Sequence, residues 1–397
     1  MIICFTRRAH AYTVRDFIGV WAADLRQRVQ VLPYEDLAGR RSLPPATYVF
    51  ADLERLSPAL TDLAADVWDR LAAASQKCRL LNHPRVSLRR FELQQALRRR
   101  GRSRFAVHRL TDPPEAWRFP VFLRRESEHS GSLTPLLRSV GEVRSAASRQ
   151  VARGIDPRDL LVTEFCDTAD ADGVYRRYAV LRLGDRFIPD SLSFSRNWMV
   201  KYSENLEGGH LDEELRFLER NPHEDELRAI FALAGIEYGR IDYALLGGEI
   251  VVWEINTNPF FLYPTDRYDP EKLPDEELYS RKLKAAFESL DVPAADGQPN
   301  ISIHVAPEVI RRLWPSPVAR LCRFGRVADD PAAGSMRIGP EVIRRPLAWL
   351  WRGVRRWRKR VRRSPPRSVA GPQPRQKTQP SPPRAGTRSP DTIEEHS

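Results

Sequence analysis

The stretch VVWEINTNPFF, residues 251–261, begins as a strand and ends as something else. Val251, Val252, Trp253 and Ile255 favour extended backbone, and Asn258-Pro259 closes the run. Side chains alternate along a strand, so Glu254 and Asn256 point to one face. A carboxylate and an amide oxygen side by side suit a hard cation such as magnesium. A half-exposed strand with a polar outer face would carry the same letters.

The preceding residues supply a partner strand. RIDYALL (240–246), Gly247-Gly248 and EIVVWEIN (249–256) read as a β-hairpin with Asp242 on its first strand. A strict two-residue loop would pair Asp242 with Trp253 and turn Glu254 to the other face. For Asp242 and Glu254 to share a face, the register must shift by one. A three-residue loop, Gly247-Gly248-Glu249, would do this, as would a bulge elsewhere in the pair.

Further out, the chain alternates strand and helix up to about residue 84. MIICF, ATYVFADL and CRLLNHP are strand-like, and LTDLAADVWDRLAAA is helical, which predicts a small parallel α/β layer. RVSLRRFELQQALRRRG then forms a helix stopped by Gly101. After it come the strand FPVFLRR, the polar loop SEHSGSLTP, a helix over EVRSAASRQVARG and the strand DLLVTEF. A hairpin around Gly184-Asp185, a helix over HEDELRAIFALAGI, the hairpin already described and a helix over DEELYSRKLKAAFESL follow.

Composition narrows the setting. The net charge is +12, but 15 Lys/Arg and only 4 Asp/Glu lie from Pro340 onward, so the first 339 residues are nearly neutral. The core is therefore not expected to bind nucleic acid, although the basic tail could hold a polyanion. Four scattered cysteines make no metal-type spacing and fit a reducing cytoplasm. No apolar run is long enough to span a membrane, and MIICFTRRAHAY reads as a first strand rather than a leader. Ile343, Leu347, Leu350, Val354, Trp357 and Val361 form one apolar stripe on an arginine-rich helix, a pattern suited to an anionic membrane surface. Packing on the protein body is the competing reading. Beyond Ser364 the chain is rich in Pro, Ser, Arg and Gln, and disorder is expected.

Taken in order, the motifs from about 80 to 290 resemble the ATP-grasp superfamily of carboxylate–amine ligases, of the glutathione synthetase type. LLNHP resembles the junction into the ATP-binding part, and FPVFLRR the strand with a phosphate-binding Lys, here Arg124. HSGS resembles a reduced glycine flap with Gly131 alone. LVTEFCD is similar to the hinge strand that receives adenine, and YRRYAVL to the strand whose Arg meets phosphate or substrate. The Asp-hairpin-Glu-x-Asn-x-Asn-Pro pattern is the most specific match.

The resemblance implies α/β and α+β architecture. A small parallel α/β domain (1–84) precedes an ATP-grasp domain (85–295), a linker or accessory segment (296–340), a basic amphipathic helix (341–363) and a disordered tail (364–397). It implies ATP and Mg2+, with Asp242, Glu254 and Asn256 as metal ligands. Arg124, Gly131, Glu164, Phe165, Cys166 and Lys201 would contact the nucleotide, and Arg177, or Arg176 one place earlier, the transferring phosphoryl group or substrate carboxylate. The implied reaction activates a small carboxylate as an acylphosphate for attack by an amine or similar nucleophile, in the cytoplasm or peripherally at a membrane. Arg at 124 and the sparse flap leave an alternative: a catalytically weakened nucleotide-binding relative acting as a membrane-associated or polyanion-binding partner.

Overall fold

A computed structural model describes residues 1–74, 78–201, 203–204, 210–268, 270, 273–291, 298–314 and 316. The chain divides into two compact units, and all described residues lie in the first, Met1–Asp330. The segments read from sequence as a basic helix and a disordered tail lie outside the described residues.

The chain opens with β1 (Ile2–Thr6), β2 (Val29–Pro33), β3 (Ser42–Leu43), β4 (Thr47–Phe50) and β5 (Arg79–Leu81). Four of these form a parallel sheet in the order β2-β1-β4-β5. Every residue of β1 and β4 is buried, as expected of parallel strands covered on both faces. One face holds Phe5, Tyr34, Tyr48, Phe50 and Leu63, with Leu63 carried by the helix Pro58–Ala72. Its N-terminus is capped by the Ser57 hydroxyl, which accepts from the Leu60 N–H at 3.3 Å. The other face packs Cys4, Val14 and Phe17 against Phe287 and Leu290 of the helix Leu273–Leu290. Asn82, just past β5, fastens this layer to the next. Its amide donates to the Tyr238 carbonyl at 2.7 Å and accepts from the N–H groups of Glu237 and Tyr238. Its backbone is left-handed (φ 65°), which asparagine tolerates better than most residues.

A three-stranded antiparallel sheet follows, ordered β6-β8-β7, from β6 (Val107–Arg109), β7 (Val121–Arg125) and β8 (Leu160–Glu164). The helix Val140–Ala152 covers one side through Val143 and Ala146. A four-stranded antiparallel sheet, ordered β10-β9-β11-β12, comprises β9 (Tyr175–Leu183), β10 (Arg186–Ser195), β11 (Tyr238–Leu246) and β12 (Glu249–Asn256). Helices Arg90–Arg99 and Glu224–Ala234 pack on it through Leu93, Leu97, Leu227 and Phe231. β13 (Ile301–Ser302) returns to pair with β3, so residues beyond 295 rejoin the first layer.

The hairpin register differs in detail from the three-residue loop. Leu246 pairs with Glu249, leaving a two-residue loop in which both Gly247 (φ 60°) and Gly248 (φ 83°) are left-handed. Such turns match the twist of the flanking strands and favour glycine at both positions. The register then shifts between Asp242 and Tyr243, so that Tyr243 faces Val252 and Asp242 faces Glu254. Trp253 is the extra residue, and this bulge places the two acids on one face.

Candidate functional site

An open cleft lies between the two antiparallel sheets. Its walls include Arg124, Gly131, Glu164, Phe165, Cys166, Arg176, Arg177, Lys201, Asp242 and Glu254. Ten of the eleven residues singled out from the sequence thus come together. Asn256 does not line the cleft. Its amide oxygen accepts from the Asn258 N–H at 2.9 Å, an Asx-type turn that closes the strand.

The two ends of the cleft differ in chemistry. One end is aromatic: Phe122 on β7, Phe165 just after β8, and Trp198. The Trp198 ring lies 4.9 Å from Phe122 and 5.8 Å, edge-on, from Phe165. The Glu164 carboxylate is engaged within the protein, accepting from the Ala106 and Arg118 N–H groups at 3.0 Å and facing His108 at 3.3 Å. Burial alone would raise its pKa; these donors outweigh burial and hold it below the ordinary carboxylate value.

The other end is charged. Glu254 Oε2 accepts from Arg90 and, at 2.5 Å, from Arg124 Nη2, while His129 Nδ1 lies 2.8 Å from Oε1. Burial disfavours the ionised Glu254, but the Arg90, His129 and Arg124 charges dominate and hold its pKa well below normal. Burial and the neighbouring Arg90 charge pull Arg124 down to about 10, leaving it protonated at neutral pH. Asp242 Oδ1 accepts from Arg240 Nε at 3.0 Å, and Arg177 Nη1 lies 3.7 Å from its other oxygen. The buried Nε atoms of Arg90, Arg124 and Arg177 have no hydrogen-bond partner among the described residues. Arg124 and Arg177 line the cleft, so their guanidinium groups suit an anionic ligand there.

The adjacent arginines part company. Arg176 is held by Glu213 at 2.8 Å and Asp170 at 2.5 Å, whereas Arg177 reaches Asp242 and the Ser193 hydroxyl. Arg177 is therefore the freer of the two to meet a ligand. Gly131 (φ 90°) lets Lys201 cross the flap: a Cβ there would come within 2.8 Å of Lys201 Cε.

A resident magnesium ion fits this donor set poorly. Both Glu254 oxygens are engaged by charged donors, the Asn256 oxygen by backbone, and one Asp242 oxygen by Arg240. Among the described residues no cluster of three His, Cys, Asp or Glu side chains could hold a metal.

Three participants escaped the sequence reading. His129 bridges Glu254 to Glu54 of the first layer, with Nε2 2.7 Å from Glu54 Oε1. Glu54 also accepts from the Thr257 hydroxyl, which ties the segment after β12 to the end of β4. Arg90 is fixed by the carbonyls of Arg125, Glu126 and Glu128 at 2.5–3.0 Å. His129 stands in the HSGS loop, which offered a signal; Arg90 is one of several arginines around its helix start, and nothing local separates it from them.

No family model matches the chain, and neither does any curated protein. Among solved structures, D-alanine–D-alanine ligase from Bacillus anthracis shares 14% identity over 73% of this chain and 96% of its own, at a TM-score of 0.43. A RimK-domain ATP-grasp protein from Sphaerobacter thermophilus shares 14% over 72% and 99%, at 0.40. The macrocyclase MdnC from Microcystis aeruginosa, bound with its precursor peptide, shares 10% over 71% and 99%, at 0.41.

Proposed function

We propose that the cleft binds ATP and that the protein uses it to join a carboxylate to an amine or similar nucleophile. One observation carries this reading: a single cleft is lined both by a cluster of aromatic rings and by guanidinium groups. A nucleoside triphosphate has the same division, a flat base and a polyanionic tail. The base would lie against Phe122, Phe165 and Trp198, and the phosphates against Arg124, Arg177 and Lys201.

A carboxylate oxygen of the substrate attacks the γ-phosphorus, the bond to the β-phosphate oxygen breaks, and ADP leaves. The nucleophile then attacks the acyl carbon, inorganic phosphate departs, and the nucleophile's proton passes to water. The protein's part is alignment and charge neutralisation. Arg177, within reach of both the phosphate end and Asp242, would position the transferring group. An ADP-release assay over panels of small carboxylates with and without amines tests this. Release that requires both substrates and is lost in Arg177→Met supports it.

A second reading is a nucleotide-binding relative with weakened turnover. It is favoured by the engagement of Arg124 with Glu254, which holds a phosphate-binding position in an internal ion pair. ATP binding without ADP release from any substrate pair would select it. The arginine-rich helix read at 341–363 would in either case bring an anionic membrane surface within reach, on the strength of its sequence pattern.

A further inference from the structure

Glu254, the position read as a magnesium ligand, is neutralised by the protein itself. Three side chains converge on it from three segments, the guanidinium groups of Arg90 at the start of its helix and Arg124 on β7 and the imidazole of His129 in the following loop. Arg90 is not a side chain that collapsed onto a vacant acid. Its guanidinium also donates to three backbone carbonyls, so its place is fixed independently of Glu254. Arg90 and Arg124 are each more than nine-tenths buried. A divalent ion on Glu254 would have to share that carboxylate with two guanidinium groups, against their repulsion. Meanwhile Arg124 and Arg177 both line the cleft, and each has a buried Nε–H without a partner among the described residues. A guanidinium fork binds phosphate oxygens directly and supplies the charge a metal would otherwise bring.

The geometry points to a cleft that takes its nucleoside polyphosphate as the free anion, with Arg124, Arg177 and Lys201 meeting the phosphates in place of a divalent ion held on Glu254. This rests on the nucleotide reading above and departs from the magnesium site implied by the sequence resemblance. Glu254 then serves to orient Arg124 rather than to ligate a metal.

Isothermal titration of the full chain with ATP, once in excess EDTA and once in excess MgCl2, tests it. The two dissociation constants should agree within about tenfold. Binding that is more than about tenfold tighter with magnesium, or absent in EDTA, overturns the inference while leaving the nucleotide reading intact. No binding in either buffer removes both. The basic C-terminal segment could hold ATP without the cleft, so Arg177→Met is titrated in EDTA beside the parent. A loss of about tenfold or more supports the cleft as the metal-free site, and unchanged binding overturns the inference.

Discussion

Asp242 on β11 lies directly opposite Glu254 on β12, although the turn joining these strands would by itself place Trp253 there. The bulge at Trp253 reconciles a tight Gly-Gly turn with two acids on one face. The indole also lines the cleft and packs on Phe105 at 5.4 Å. One irregularity therefore sets both the charged end of the site and part of its wall.

The turn should be costly to alter even though nothing crowds it. A Cβ on Gly247 would meet no atom within 4 Å, so Gly247→Ala pays only for its left-handed backbone. The expected loss is roughly 1–2 kcal/mol in urea unfolding. A neutral result would show that the turn relaxes and does not hold the register.

At the aromatic end, Trp198→Ala should weaken ATP and adenosine alike. Base–aromatic stacking lost to alanine is worth about 1–3 kcal/mol. Inorganic tripolyphosphate should bind as before. Calorimetry with the three ligands checks this, and equal weakening of all three would mean that Trp198 shapes the whole cleft.

At the charged end, Arg177→Met should lower ATP affinity by about 1.5–3 kcal/mol, the usual worth of a hydrogen bond to a charged group. Its side chain is partly exposed, so the unfolding midpoint should move little. Arg124→Met differs in its setting. Its guanidinium is buried beside Arg90, and Glu254 keeps Arg90 and His129 without it, so an apolar side chain of similar length should leave the unfolding midpoint unchanged or raise it. A thermal-shift comparison of the two variants separates binding from structure.

The contact through His129 predicts a pH dependence. Burial would raise the Glu54 pKa from 4.5, but the His129 hydrogen bond and charge, with Arg55, bring it down to about 2. A depressed carboxylate contributes stability above its unfolded value and loses it as pH falls through the folded one. Roughly 3 kcal/mol should therefore disappear between pH 4.5 and 2. Burial would lower the His129 pKa, but Glu254 and Glu54 outweigh it and raise it above 6.5, so its contribution is full below that pH and fades as pH rises through the raised value. Urea unfolding across pH should show both limbs, and Glu54→Gln should flatten the acid one.

The contrast between local and distant signals explains what the sequence revealed. The strands Val121–Arg125, Leu160–Glu164 and Tyr175–Leu183 were legible as bounded extended runs, and the family resemblance of their motifs singled out Arg124, Phe165 and Arg177 on or beside them. Strand alternation put Glu254 and Asn256 on one face; for Asp242 to share it the register had to shift, and the position of the bulge was not legible, because Trp253 is a good strand residue at any register. The clamp on Glu254 was invisible for another reason. Arg90, His129 and Glu54 lie 164, 125 and 200 positions away from it in the chain and meet it, or each other, only through packing of separate layers. At Asn256 alternation with Glu254 suggested a ligand, and the structure shows its oxygen accepting from the Asn258 N–H, a turn contact that the strand period does not reveal.

The most direct test of the account is a crystal structure of the protein soaked with ATP. The account predicts the base against Phe122, Phe165 and Trp198, with the phosphates between Arg124, Arg177 and Lys201. Nucleotide bound elsewhere on the protein, with this cleft left to solvent, would contradict it.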